Sequence, residues 1–164
     1  MVLITRKIEF SASHVYHNAR LSPEENRRVF GKCNNPHGHG HDYVMDVTIR
    51  GDVDPARGRL ISIDALDEFV QSVILKNFDR RNLNLEVSEF ATLVPTTEVL
   101  SEVIAERLSA AWPVRFGGSG ARFEKLRIRE TRNNIFEVFA KKEVPGGTPV
   151  GRESQFHEVS ESRS

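Results

Sequence analysis

The sequence predicts an α+β domain with the order ββααββ: an antiparallel sheet carrying two helices on one face. Three observations predict it. Residues 2–14 alternate between apolar and polar, as a strand with one buried face does. Two central stretches repeat their apolar residues at helical spacing, and residues 122–140 read as a hairpin.

In the first strand, Ile8, Phe10, Ala12 and His14 share one face, and Glu9, Ser11 and Ser13 the other. Residues 15–41 follow as a long loop rich in Asn, Pro and Gly, with a short helical piece at SPEENRRVF. A loop of that length in a compact domain usually has a function or is disordered. The second strand is YVMDVTIRG, 43–51, and GDVDPARGRL is turn chemistry. Asp64 is the predicted cap of the first long helix, whose apolar face is Leu66, Phe69, Val70, Val73, Ile74 and Phe78. A second helix begins near Thr96-Thr97-Glu98 and carries Val99, Leu100, Val103, Ile104 and Leu108. GGSGAR breaks it. Strands at 122–130 and 134–140 then turn around Arg132-Asn133-Asn134. Residues 1–141 make one predicted domain, and 142–164, polar and rich in Gly, Pro and Ser, a mobile tail.

Composition narrows the function classes. Of 164 residues, 38% are hydrophobic and 28% charged, as in ordinary globular chains. Lys+Arg and Asp+Glu both number 23, which argues against nucleic-acid or polybasic membrane partners. One cysteine forms no internal disulfide, so a reducing compartment is expected. No apolar run reaches the roughly 18 residues that span a bilayer. The start, MVLITRKIEF, lacks a signal peptide's apolar stretch, so a cytoplasmic location is expected.

The segment CNNPHGHGHDY, residues 33–43, carries the chemistry. Neutral imidazole is a good zinc ligand, and a catalytic zinc typically takes three protein ligands. His39 and His41 sit two apart at a strand entry, so both rings point to one side. His14, at the end of the first strand's inner face, is a candidate third ligand; His37 joins only if the backbone reaches back past Pro36. Cys33 has two readings: a fourth ligand in a closed site, or a base or nucleophile beside an open one, its thiolate favoured by the dication.

Five stretches together carry a resemblance: FSASH (10–14), LSPEENRRVFGKCNNPHGHGHDY (21–43), FDRRNLN (78–84), PTTE (95–98) and RETRNN (129–134). The chain resembles the 6-pyruvoyl-tetrahydropterin synthase family, which includes the 6-carboxytetrahydropterin synthases of queuosine biosynthesis, over roughly residues 5–140. The resemblance implies the T-fold (tunnelling fold), whose subunit sheets join into barrels, usually as a homohexamer of two stacked trimers. It implies zinc held by His14, His39 and His41, with His37 as a neighbour of the ligands. It implies a small pterin substrate, 7,8-dihydroneopterin triphosphate. Cys33 matches the catalytic thiol, Asp79 the carboxylate of its proton relay, Glu130 the pterin anchor, and Thr96, Thr97 and Glu98 a second pterin-contacting stretch. Without the resemblance, Thr96 and Thr97 read only as a helix cap.

One position departs from the family pattern. Where the family carries a relay histidine after the aspartate, this chain has Arg80. Arginine keeps its proton at any working pH and does not shuttle one. Three readings follow: a working pyruvoyl-type synthase in which another group supplies the step, a pterin enzyme of altered chemistry such as the carboxy type, or a zinc- and pterin-binding paralogue with weak synthase activity.

Overall fold

The computed structural model describes residues 1–141; the predicted tail, 142–164, lies outside the described residues. Strands β1 (Val2–His14) and β2 (His39–Gly51) form a continuous antiparallel ladder from Val2↔Gly51 to His14↔His39. Alternation decides which face is covered. Phe10, Ala12 and His14 of β1, and Tyr43, Met45, Val47 and Ile49 of β2, all turn into the core. The second strand begins at His39, four residues before the predicted start, because His39-Gly40-His41 already pairs with β1.

The long loop is ordered from within. Helix α1 (Pro23–Phe30) starts at a reciprocal cap: Ser22 Oγ accepts from the Glu25 N–H, and Glu25 Oε2 accepts from the Ser22 N–H. Fully buried Asn26 bonds the backbone of Asn18, Leu21 and Ser22. A 3₁₀ turn, Gly31–Cys33, then delivers the cysteine.

Helix α2 (Ile63–Val70) is capped by Ser62, whose Oγ accepts from the Ala65 N–H; Asp64 falls in the first turn instead. A π turn (Gln71–Leu75) and one α turn (Lys76–Phe78) continue it. Leu66, Val70, Ile74 and Phe78 recur every four residues, a spacing that drifts about 40° per step on a 3.6-residue helix. The wider π turn absorbs the drift, and all four are buried.

Between the long helices the chain adds what the periodicity did not predict: a two-residue strand β3 (Arg81–Asn82), a helical turn (Leu83–Glu86) and a 3₁₀ turn (Ser88–Ala91). Helix α3 (Thr97–Phe116) is capped by Thr96, whose Oγ1 accepts from the Val99 N–H. Strands β4 (Arg122–Arg129) and β5 (Ile135–Phe139) form the predicted hairpin. The sheet order is β3-β1-β2-β4-β5, antiparallel except where β3 meets β1. Core side chains of α2 and α3 pack with the inward face of β1, β2 and β4 in one cluster. Among the described residues, no helix is long and apolar enough to cross a membrane.

Candidate metal centre and adjoining pocket

The antiparallel register places His14 directly opposite His39, and His41 follows two residues along the same face. One nitrogen from each of the three rings lies within 4.8 Å of the others. His14 Nε2 and His39 Nε2 are 3.2 Å apart. Two nitrogens on a tetrahedral zinc sit about 3.3 Å apart, so this spacing suits a shared ion. His14 is fully buried, and burial, then the neighbouring His39 and His41, lowers its pKa to about 4. It is therefore neutral at working pH, the form that ligates. On its far side Nδ1 is 3.2 Å from the Tyr43 hydroxyl oxygen. With Nε2 facing an ion, Nδ1 carries the hydrogen and donates to that oxygen, fixing tautomer and ring orientation.

The two glycines between the histidines sit in tight contact with β1. A Cβ on Gly38 would stand 3.0 Å from the His14 carbonyl oxygen, and Gly38 has φ 69°. A Cβ on Gly40 would stand 3.1 Å from the Ala12 carbonyl oxygen. A side chain at either place would press on the β1 backbone, so glycine eases the approach of β2 to β1 at the cluster.

Beside the cluster lies Glu130, just after β4, its side chain 9% exposed. Its Oε1 accepts a 2.5 Å hydrogen bond from Thr97 Oγ1 and sits 3.7 Å from His41 Nε2. Its Oε2 accepts from Asn134 Nδ2 at 3.3 Å. Thr97 is buried in the first turn of α3, Thr96 is spent on capping, and Glu98 points to solvent. The fold thus joins Glu130, Thr97 and the histidines in one place, with Thr96 and Glu98 at its margin.

Cys33 is half-buried and is not one of the three converging metal-capable residues. Burial, then the Glu130 carboxylate, pushes its thiol pKa up. Its carbonyl accepts from the Tyr16 N–H at 2.9 Å. His37 is exposed, its backbone tied to Asn35 Oδ1. Asp79 and Arg80 are tied to the backbone of β1. Asp79 Oδ1 accepts from the Ser11 N–H at 2.9 Å, and the Arg80 N–H donates to the Ser11 carbonyl at 2.6 Å. Arg80 has φ 58°, its side chain is 90% exposed, and its Nε lies 4.0 Å from Asp79 Oδ2. Arg80 lines an open cleft of about 550 Å³ with Ser11, Ser13 and Asp42, and His41 of the histidine cluster also borders it.

Sequence reading missed three contributors. Tyr43 supports His14, and its place two residues after His41 was the available signal. Asn134 reaches Glu130 across the hairpin turn. Tyr16 sits in an aperiodic loop with its hydroxyl 3.5 Å from both Thr97 Oγ1 and Glu130 Oε1. Burial raises the pKa of both tyrosines, so both stay protonated.

The family model described as 6-pyruvoyl tetrahydropterin synthase matches residues 3–141. The chain belongs to that family. The 6-pyruvoyl tetrahydrobiopterin synthase of Homo sapiens is 41% identical over 132 residues, 80% of this chain and 87% of the human one. That of Drosophila melanogaster is 43% identical over 137 residues, 82% of this chain and 77% of its own. The solved structure of Caenorhabditis elegans 6-pyruvoyl tetrahydropterin synthase superposes with a TM-score of 0.76 at 37% identity, covering 85% of this chain and 96% of that one. The fold is the T-fold of the family, as the sequence resemblance implied. Membership also makes the chain an enzyme of pterin chemistry with a metal-capable histidine site.

Proposed function

We propose that the chain is a zinc-dependent synthase that converts 7,8-dihydroneopterin triphosphate to 6-pyruvoyl-tetrahydropterin with loss of triphosphate. The observation that carries this reading is the 3.7 Å approach of His41 Nε2 to Glu130 Oε1, which joins a metal-capable cluster to a buried carboxylate. His14, His39 and His41 would hold the zinc, and their spacing and the neutrality of His14 fit it. Bound there, zinc supplies Lewis-acid polarisation of the substrate's side-chain hydroxyls.

The protein groups do the rest. Glu130, held by Thr97 and Asn134, accepts from the amino-pyrimidinone edge of the pterin and fixes the ring. Cys33, at the end of its 3₁₀ turn, removes the carbon-bound proton of the side chain once ionised. Burial of His14 and Tyr43 excludes water from one side. Asp79, held by the Ser11 N–H, is the proposed relay carboxylate, and the proposed assembly is a homohexamer of two stacked trimers.

Arg80 motivates a second reading, because a guanidinium at the relay position passes no proton. That reading is carboxy-type chemistry, or pterin binding with weak turnover. One experiment separates the readings: incubate the zinc-loaded protein with 7,8-dihydroneopterin triphosphate, alongside Cys33→Ala and Arg80→His, and identify products by mass spectrometry. A pyruvoyl product abolished by Cys33→Ala supports the proposal. A carboxy product, or turnover only in Arg80→His, overturns it.

A further inference from the structure

Tyr16 stands outside every motif assigned a role above, yet it is held firmly beside His14, Thr97 and Glu130. Its backbone N–H donates to the Cys33 carbonyl at 2.9 Å, and its own carbonyl accepts from Asn34 Nδ2 at 2.7 Å. Its ring centroid is 4.5 Å from that of His14 and 6.0 Å from that of Phe30. These supports aim the hydroxyl at a point 3.5 Å from both Glu130 Oε1 and Thr97 Oγ1.

That distance is the outer limit of a hydrogen bond, so the phenol's donor is almost unspent. Glu130 Oε1 does not need it, because Thr97 already donates there at 2.5 Å. A donor placed beside a carboxylate, with little to donate to, is a group waiting for a ligand acceptor.

The chemistry of the ring identifies that acceptor. On an amino-pyrimidinone edge the polar groups run in order: exocyclic amine, ring N–H, carbonyl. A carboxylate takes the first two as donors. The carbonyl oxygen is then the next polar atom along the edge, and an acceptor buried without a donor weakens binding. We propose that Tyr16 is a specificity-determining residue whose phenol O–H donates to the carbonyl of an amino-oxo-pyrimidine ring anchored on Glu130. The pocket then reads three atoms of the edge rather than two, through Glu130 for the N–H pair and Tyr16 for the oxygen. The assignment deepens the proposed function and rests on Glu130 as the ring's anchor.

The test uses the zinc-loaded full chain and 7,8-dihydroneopterin, which keeps the ring edge but carries no leaving group. Binding is followed by fluorescence for the native protein, Tyr16→Phe and Tyr16→Ala. Tyr16→Phe keeps the ring packing and is expected to weaken binding about tenfold, the size of one lost neutral hydrogen bond to a buried acceptor. KM for the triphosphate substrate should rise similarly, with kcat, zinc content and Tm unchanged. Infrared difference spectra of pterin labelled at the ring carbonyl provide a readout that packing alone does not move. The carbonyl stretch should lie lower bound to the native protein than bound to Tyr16→Phe. Equal affinity of Tyr16→Phe and native protein overturns the assignment while leaving the proposed function standing, and so does an equal stretch. A native protein that does not bind 7,8-dihydroneopterin overturns both.

Discussion

The Tyr43 hydroxyl oxygen lies 3.2 Å from His14 Nδ1, and both residues are fully buried. A core tyrosine therefore sets the orientation of a candidate metal ligand. Tyr43→Phe keeps the ring, which stacks 5.0 Å from Phe10, and removes only the oxygen. Such outer partners are worth about 10–100-fold in metal affinity. Zinc titration of the variant against a competing chelator should show a loss in that range with the fold intact. Unchanged affinity would mean that packing alone orients His14.

Thr97 gives Glu130 its shortest hydrogen bond, at 2.5 Å. Thr97→Val keeps the branched shape and deletes the donor. The carboxylate loses a restraint and should bind pterin less well, lowering kcat/KM about tenfold. Zinc content should not change, because Thr97 is not among the converging metal-capable residues. Loss of zinc along with activity would contradict the separation of the two parts of the site.

Acid should weaken a specific tether. Arg107 forks onto Glu89 at 2.6 and 2.7 Å, and lies 4.8 Å from the Phe78 ring centre, tying α3 to the segment before it. This fork holds the Glu89 carboxyl at about 2, below its unfolded 4.5. A depressed folded pKa stabilises fully above 4.5 and loses that contribution as pH falls toward 2. Glu89→Gln should cost about 1–2 kcal/mol at neutral pH. Urea midpoints measured at several pH values should converge for native and variant near pH 2. A gap that persists there would show that packing, not charge, carries the effect.

Gly51 ends β2 under tight contact. A Cβ there would stand 2.5 Å from Leu60 Cδ1 and 2.8 Å from the Gly120 carbonyl oxygen. The leucine can move, but the backbone oxygen yields only with its loop. Gly51→Ala should destabilise by about 2 kcal/mol in denaturant unfolding, with zinc affinity unaltered, since overpacking strains its surroundings. A variant as stable as the native chain would show that the 117–121 turn is compliant.

The sheet was legible because side-chain alternation is a purely local signal. His39, His41 and Tyr43 share a face by spacing alone, and His14 joins them through the strand pairing. The segment from 79 to 94 was not legible. Its pieces are short and held by particular contacts, such as Asn82 Oδ1 capping Asn84 and Glu86 accepting from the Asn82 N–H, which no periodicity announces. The π turn was hidden because the buried residues across it, Val70, Ile74 and Phe78, still recur every four. Asp64 and Ser62 are both good caps two residues apart, and composition alone does not choose between them. Tyr16 was missed for a related reason: its place depends on the Cys33 carbonyl and Asn34, across a loop without a repeat.

The pairing of His14 with His39 at the loop end of the β1–β2 ladder also bears on folding. A slip of one residue in that pairing would turn one strand's rings to the other face, leaving no three-nitrogen cluster. It would also expose Tyr43, Met45, Val47 and Ile49, or their partners on β1. The core and the ligand set therefore demand the same register, and a chain that pairs wrongly forfeits both together. An ion that bound all three rings would therefore favour the correct strand alignment over a slipped one, holding the right hairpin closed while the helices dock.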